Sequence, residues 1–100
     1  MDIFEIVDIT KHYDDGDLAS GKVRFHHQEP YSDGEVAQVV EVDIRISIGD
    51  DATLAQVHDA LLAKAVSQLR HALERCEGRS ATELLQQSAA DYNARIEDED

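Results

Sequence analysis

The spacing of apolar residues changes near residue 50, from the two-residue repeat of a strand to the three-to-four-residue repeat of a helix. Residues 35–48 show the clearest strand pattern, with Val and Ile at even positions, polar residues at most odd ones, and Gln38 as an exception. This alternation is typical of a strand with one buried and one solvated face. Residues 3–13 are rich in β-branched and aromatic side chains, and residues 22–28 alternate, so both segments predict further strands.

Turn-forming residues separate the three predicted strands. Residues 14–17 combine Asp and Gly, which tolerate the backbone angles of a tight turn. Pro30 and the Ser-Asp-Gly sequence at 32–34 interrupt the chain a second time. Strands joined by such short connections pair antiparallel, so the sequence predicts a three-stranded meander.

The second half of the chain predicts two helices. Apolar residues recur at helical spacing from Leu54 to Cys76, which indicates one long helix with a broad buried face. Gly78 is suited to end this helix. Residues 80–83 match a capping box, so a second and shorter helix begins there. The candidates for the N-terminal cap of the long helix are Asp50, Asp51 and Thr53.

These elements predict an α+β fold of order β-β-β-α-α, with the long helix packed on one face of an antiparallel sheet. We expect a single domain over residues 1–96 and a disordered acidic tail at 97–100. An alternative is that the last helix projects from the domain and completes a dimer.

The first predicted strand is apolar on both faces. Ile3, Val7 and Ile9 share one parity, whereas Phe4 and Ile6 share the other. Either a helix or loop covers the second face, or this face is an interface between copies of the chain. The predicted residues for self-association or apolar anchoring are Phe4, Ile6, Tyr31 and Val39.

Charge is the most distinctive property of the composition. The chain has 22 acids and 9 Lys or Arg, a net charge of −13, yet residues 64–79 carry two more bases than acids. So negative a field repels nucleic acid and anionic membranes and favours a protein partner with a basic surface. The predicted partner-binding acids are Asp14, Asp15, Asp17, Asp33, Glu35, Glu41, Asp43, Asp50 and Asp51, and the basic island is Lys64, Arg70, Arg75 and Arg79.

Catalytic and metal-binding motifs are weak. The acids at 14–17 lack the spacing of a calcium loop, and no serine nucleophile motif is present. Cys76 is expected at a helix C-terminus, where the helix dipole disfavours a thiolate, and is interpreted as a half-buried residue of the apolar stripe. His26 and His27 are adjacent on a strand and therefore point to opposite faces. We expect neither a cofactor nor enzymatic activity.

The sequence also indicates in which cellular compartment the protein is expected. No apolar run approaches the roughly 18–20 residues of a membrane span. The N-terminus lacks the basic segment of a signal peptide, and a single cysteine excludes an intrachain disulfide. We expect a cytoplasmic protein.

Three functional hypotheses remain. The first is a non-enzymatic acidic protein that occupies a basic surface of a partner, in the manner of an inhibitor, immunity or anti-defence protein of a mobile element or phage, possibly as a nucleic-acid mimic. The second is a structural subunit that associates with itself, as a homodimer for example, through the open sheet face. The third is a small metal protein or enzyme that uses His12, His26 or His27.

Overall fold

The computed structural model describes residues 2–12 and 16–98, with the side chains of 95–98 outside the description. Three strands, β1 (Ile3–Lys11), β2 (Leu18–Tyr31) and β3 (Gly34–Ser47), precede two helices, α1 (Leu54–Cys76) and α2 (Ala81–Asp98). The strands pair antiparallel in the order β1-β2-β3. The predicted α+β fold is therefore confirmed.

The chain divides into two compact units, residues 1–68 and 69–100, and the boundary falls within α1. The prediction of one domain over 1–96 stays a prediction. Of the predicted tail, Glu97 and Asp98 belong to α2, whereas Glu99 and Asp100 lie outside the described residues.

The core of the first unit lies between the sheet and α1. Ala19 and Val23 of β2, Ile44 and Ile46 of β3, and Leu61 and Ala65 of α1 are its buried residues. The even-numbered face of β3 is thus the covered one, as its alternation predicts. The part of this face that α1 covers ends at Val42, since Val42 packs against the core and Val40 on the same face is exposed.

β2 is longer at both ends than its predicted range of 22–28. Gly21 is a strand residue because Leu61 packs directly against its backbone, and a Cβ built on Gly21 would lie 2.9 Å from Leu61 Cδ1. Pro30 pairs with Glu35, and one further pair, Tyr31 with Gly34, separates it from the turn at Ser32 and Asp33. Ser32 has a φ of 52°, which the tight turn requires.

A β-bulge in β1 changes which side chains face the helix. The register with β2 shifts between Val7 and Thr10, and Asp8 at the bulge has a φ of 56°. The extra residue brings Ile9 onto the α1 side, where its Cγ1 lies 3.6 Å from the ideal Cβ position of Gly21. The simple parity that groups Ile9 with Val7 is therefore wrong.

The helix ends follow the sequence signals. Thr53 caps α1, because its Oγ1 accepts a hydrogen bond from Gln56 N at 3.2 Å and Gln56 Oε1 accepts one from Thr53 N at 2.8 Å. Gly78, with a φ of 76°, follows the C-terminus of α1. Ser80 Oγ accepts a hydrogen bond from Glu83 N at 3.1 Å and caps α2.

The prediction that α1 buries a broad stripe up to Cys76 is wrong. Leu61 and Ala65 are its buried residues, the exposed fraction rises beyond Leu69, and Leu73 is exposed. Only the first half of α1 contributes to the core of residues 1–68.

Candidate functional site

The predicted partner-binding acids lie at both ends of the sheet. The carbonyl oxygen of Asp17 accepts a hydrogen bond from Ile48 N at 2.8 Å, which places Asp17 at the end of β3 that leads to Asp50 and Asp51. Asp33 and Glu35 lie at the opposite end, in and beside the β2–β3 turn. The 14 residues of β2 separate the two groups by about 45 Å. Asp14 and Asp15 lie outside the described residues.

Between these ends, bases partner the acids of the sheet face that points away from α1. Glu41 accepts a hydrogen bond from Arg24 Nε, and this bond raises the pKa of Arg24. Asp43 is the cross-strand neighbour of Lys22, whose Nζ also lies 3.6 Å from Asp8. This face is consequently a mixed-charge surface.

Lys11 partners the acid at the start of the loop before α1. Its Nζ lies 3.2 Å from Asp50 Oδ1 and donates a hydrogen bond to the carbonyl oxygen of Ile48 at 2.8 Å. The predicted acids therefore do not form one continuous negative surface among the described residues.

The end of the sheet at the β2–β3 turn differs in its charge, and we call it the hairpin end. It comprises residues 25–40 and the residues at the start of β1 that pair with them, Ile3 and Phe4. Residues 25–40 contain three acids and no Lys or Arg. Because the acids Glu29, Asp33 and Glu35 are all exposed, this end presents unopposed negative charge.

Exposed apolar side chains lie on the α1-side face of the hairpin end, whereas Glu35 belongs to the opposite face, in the ladder row of Pro30. Phe4, Phe25 and Val40 are ladder neighbours across the three strands, and the ring centroids of the two phenylalanines are 5.5 Å apart. Phe4 and Val40 are nearly half exposed, and Tyr31 beside the turn is 70% exposed. The hairpin end thus combines exposed apolar side chains with exposed acids.

The four residues predicted as apolar anchors do not lie together. Phe4 and Tyr31 belong to the hairpin end, whereas Ile6 packs against the core. Val39 is exposed on the opposite face, in the ladder row of Ile3. Val40 is not among the predicted anchors, because its parity places it on the covered face. Its exposure follows from the short stretch of α1 that carries buried residues, which the helical periodicity of the sequence does not show.

The three histidines of the third hypothesis have separate partners. His12 Nε2 and Ser20 Oγ are hydrogen-bonded at 2.9 Å. His26 Nε2 lies 3.1 Å from Glu5 Oε1, although the geometry of this contact does not satisfy a hydrogen bond. His27 lies on the opposite face and its Nδ1 donates to Asp2 Oδ1 at 2.7 Å, which lowers the pKa of Asp2. No group of three potential metal ligands occurs among residues 2–12 and 16–98.

A small cleft opens beside the first turn of α1. It measures about 280 Å³, at the low end for ligand sites, and its lining is mainly apolar, with Ile9, Ile48 and Leu54 among the contributors. Its charged groups are Lys11 and Asp50, which pair with each other. The cleft therefore presents no free acid, base or nucleophile from its lining.

The predicted basic island is divided between the two units. Lys64 belongs to the first, and the three arginines belong to the second. Within the second unit, Arg75 Nη2 lies 3.9 Å from Asp91 Oδ2, and Arg79 Nη1 donates to Gln87 Oε1 at 3.3 Å. Cys76 is exposed, so its interpretation as a half-buried residue is wrong.

In the part of the chain that the structure describes, neither helix is long and apolar enough to cross a membrane. Comparison with protein-family models, with curated proteins and with solved structures finds no match to this chain.

Proposed function

We propose that this protein is a non-enzymatic binding protein that docks on a basic partner protein through the hairpin end. The observation that carries the proposal is the exposure of Phe4, Tyr31 and Val40 on the α1-side face of the hairpin end, together with three acids and no Lys or Arg among residues 25–40. Binding energy at protein interfaces concentrates in a few aromatic and aliphatic anchors, and a polar rim excludes water around them. The partner surface should therefore have an apolar pocket with Lys or Arg at its edge.

In this mechanism the acids and the apolar side chains act on different steps of binding. The negative field of Glu29, Asp33 and Glu35 steers the encounter and raises the association rate. The apolar side chains leave water only in the docked complex, so they determine the dissociation rate. A protein that covers a basic surface also blocks what that surface ordinarily binds, nucleic acid included, which is the inhibitor role suggested by the net charge of −13.

Neighbouring residues offer a matched pair of variants for the test. Phe4 and Val40 are 49% and 46% exposed on the α1-side face, while Ile3 and Val39 are 47% and 55% exposed on the other face of the same strands. The first variant combines Phe4→Ala with Val40→Ala, and the control combines Ile3→Ala with Val39→Ala. Both remove apolar area from the same two strands, in adjacent ladder rows.

The experiment immobilises the wild type and both variants and quantifies the captured proteins from a lysate of the native host. We expect a protein that the wild type and the control retain, and that the Phe4/Val40 variant retains at least about tenfold less, since two anchors are lost. Urea denaturation of each variant verifies that it is folded at the capture temperature. Equal loss with both variants, or no loss with either, would exclude the α1-side face as the docking surface.

The charge mechanism has its own variant. Replacing Glu29, Asp33 and Glu35 by the corresponding amides should lower the association rate with the captured partner several-fold at low salt and leave its dissociation rate nearly unchanged. An unchanged association rate would show that these acids do not steer the partner.

A further inference from the structure

The second unit, residues 69–100, has no buried core among the side chains that the structure describes. From Arg70 to Asn93, Leu84 is the single partly buried residue and the others are exposed. Tertiary packing of an apolar face, rather than helix propensity, supplies most of the stability of helices in proteins. We therefore expect the helices of this unit to gain stability from a surface that packs against them.

Both helical segments of this unit have apolar side chains suited to such packing. Leu69, Leu73 and Cys76 follow helical spacing at the end of α1. On α2, Leu85 and Tyr92 are seven residues apart and are 70% and 65% exposed. Two exposed apolar stripes on neighbouring helical segments resemble one half of a four-helix bundle.

The polar contacts within the unit do not replace this packing. The Arg75–Asp91 ion pair is 3.9 Å long, and the Arg79–Gln87 hydrogen bond is 3.3 Å long. Both involve exposed side chains, and solvent-exposed ion pairs contribute little to stability. The contacts set the positions of the two segments without holding them folded.

Charge favours a second copy of this chain as the partner. Residues 69–79 carry three Arg and two Glu, in contrast to the net charge of −13 for the whole chain. Glu83 in the first turn of α2 provides an acid that the arginines of another copy can face. A two-fold axis places the α1 end of each copy against α2 of the other, which is a self-complementary arrangement.

We infer that residues 69–98 form the interface of a homodimer, in which the exposed stripes of two copies pack into a four-helix bundle. The hairpin ends are not part of this interface, so each dimer presents two copies of the docking surface. Bivalent docking on a partner with two sites would then be stronger than docking of a single copy.

Sedimentation of the full chain over nanomolar to high micromolar concentrations tests the inference. We expect a mass of twice 11.1 kDa at micromolar concentration. Leu73→Gln combined with Leu85→Gln keeps good helix formers at both positions and should raise the dimer dissociation constant at least about 100-fold, because a symmetric interface contains each substitution twice. The Phe4→Ala/Val40→Ala variant should dimerise like the wild type.

Far-UV circular dichroism on dilution is the second measurement, and it does not depend on any variant being folded. The helical signal of the wild type should fall as the dimer dissociates. The largest expected decrease is the signal that the 18 residues of α2 contribute. A monomer throughout the concentration range, or a helical content that survives dissociation, would overturn the inference. So would a Leu73/Leu85 variant that dimerises like the wild type, or a Phe4/Val40 variant that dissociates equally.

Discussion

The contact between Gly21 and Leu61 predicts a coupled pair of substitutions. An ideal Cβ on Gly21 would lie 2.9 Å from Leu61 Cδ1 and 3.4 Å from Cδ2. Leu61 is fully buried and cannot turn aside into solvent. Gly21→Ala therefore forces α1 away from β2, whereas Leu61→Ala leaves a cavity over Gly21.

The magnitudes follow from this geometry. Overpacking costs about 1–3 kcal/mol, offset by the roughly 0.5–1 kcal/mol that Ala gains over Gly in a strand, so Gly21→Ala should lose about 1 kcal/mol. Leu61→Ala should lose about 3 kcal/mol through lost burial and the cavity. In the double variant the added methyl no longer meets the Leu61 side chain. Its loss of unfolding free energy should therefore be smaller than the sum of the two single-variant losses by about 1–2 kcal/mol.

Urea unfolding, monitored by the NMR signals of β2 amides, measures the sheet separately from the second unit. Gly34→Ala is the matched control, because its Cβ would meet no atom within 4 Å and should change the free energy of unfolding by less than about 1 kcal/mol. Additive losses at Gly21 and Leu61, or a Gly21→Ala variant as stable as the control, would show that α1 does not pack directly on β2.

Two further predictions concern β1 and the residue that precedes it. The hydrogen bond from His27 holds the pKa of Asp2 below its ordinary value of 3.8, so the stability from this pair is present above about pH 3.8 and is lost as the pH falls through the lowered pKa. An NMR titration should show the Asp2 carboxyl moving back toward 3.8 in a His27→Gln variant, and an unmoved midpoint would exclude His27 as the cause. At the bulge, Asp8→Val should lose about 1–2 kcal/mol because β-branched residues disfavour positive φ, whereas Asp8→Asn should stay within about 0.5 kcal/mol of the wild type in the same urea assay. Equal losses would mean that the φ of 56° is not the constraint at this residue.

Much of the fold could be predicted because local signals agree with the global arrangement. The alternation in β3 identifies its covered face, and the signals at Thr53, Gly78 and Ser80 mark the helix ends. Each of these features depends on residues close together in the sequence. Periodicity and capping are therefore sufficient to identify them.

The features that could not be predicted depend on contacts between distant residues. Gly21 is a turn signal locally, but the packing of Leu61, forty residues later, keeps it inside β2. The bulge at Asp8 depends on how β1 pairs with β2, so parity alone misassigns Ile9. Periodicity in α1 cannot show where the sheet beneath it ends, and the exposure of Leu73 is therefore invisible in the sequence.

The candidate site, like the fold, could be predicted only where it depends on local sequence. The sequence shows an acidic chain and predicts Phe4, Ile6, Tyr31 and Val39 as apolar anchors, of which Phe4 and Tyr31 lie at the hairpin end. It does not show that Glu41 pairs with Arg24, because the two residues meet only through the β2–β3 register. The three-dimensional arrangement reduces the predicted acidic surface to the unopposed acids of the hairpin end.

Quantitative capture with the two face-specific variants is the decisive measurement for docking through the α1-side face. We expect a partner that the wild type and the Ile3→Ala/Val39→Ala protein retain, and that the Phe4→Ala/Val40→Ala protein captures in at least about tenfold lower amount. Retention of the same partner by all three folded proteins would contradict docking through the α1-side face of the hairpin end.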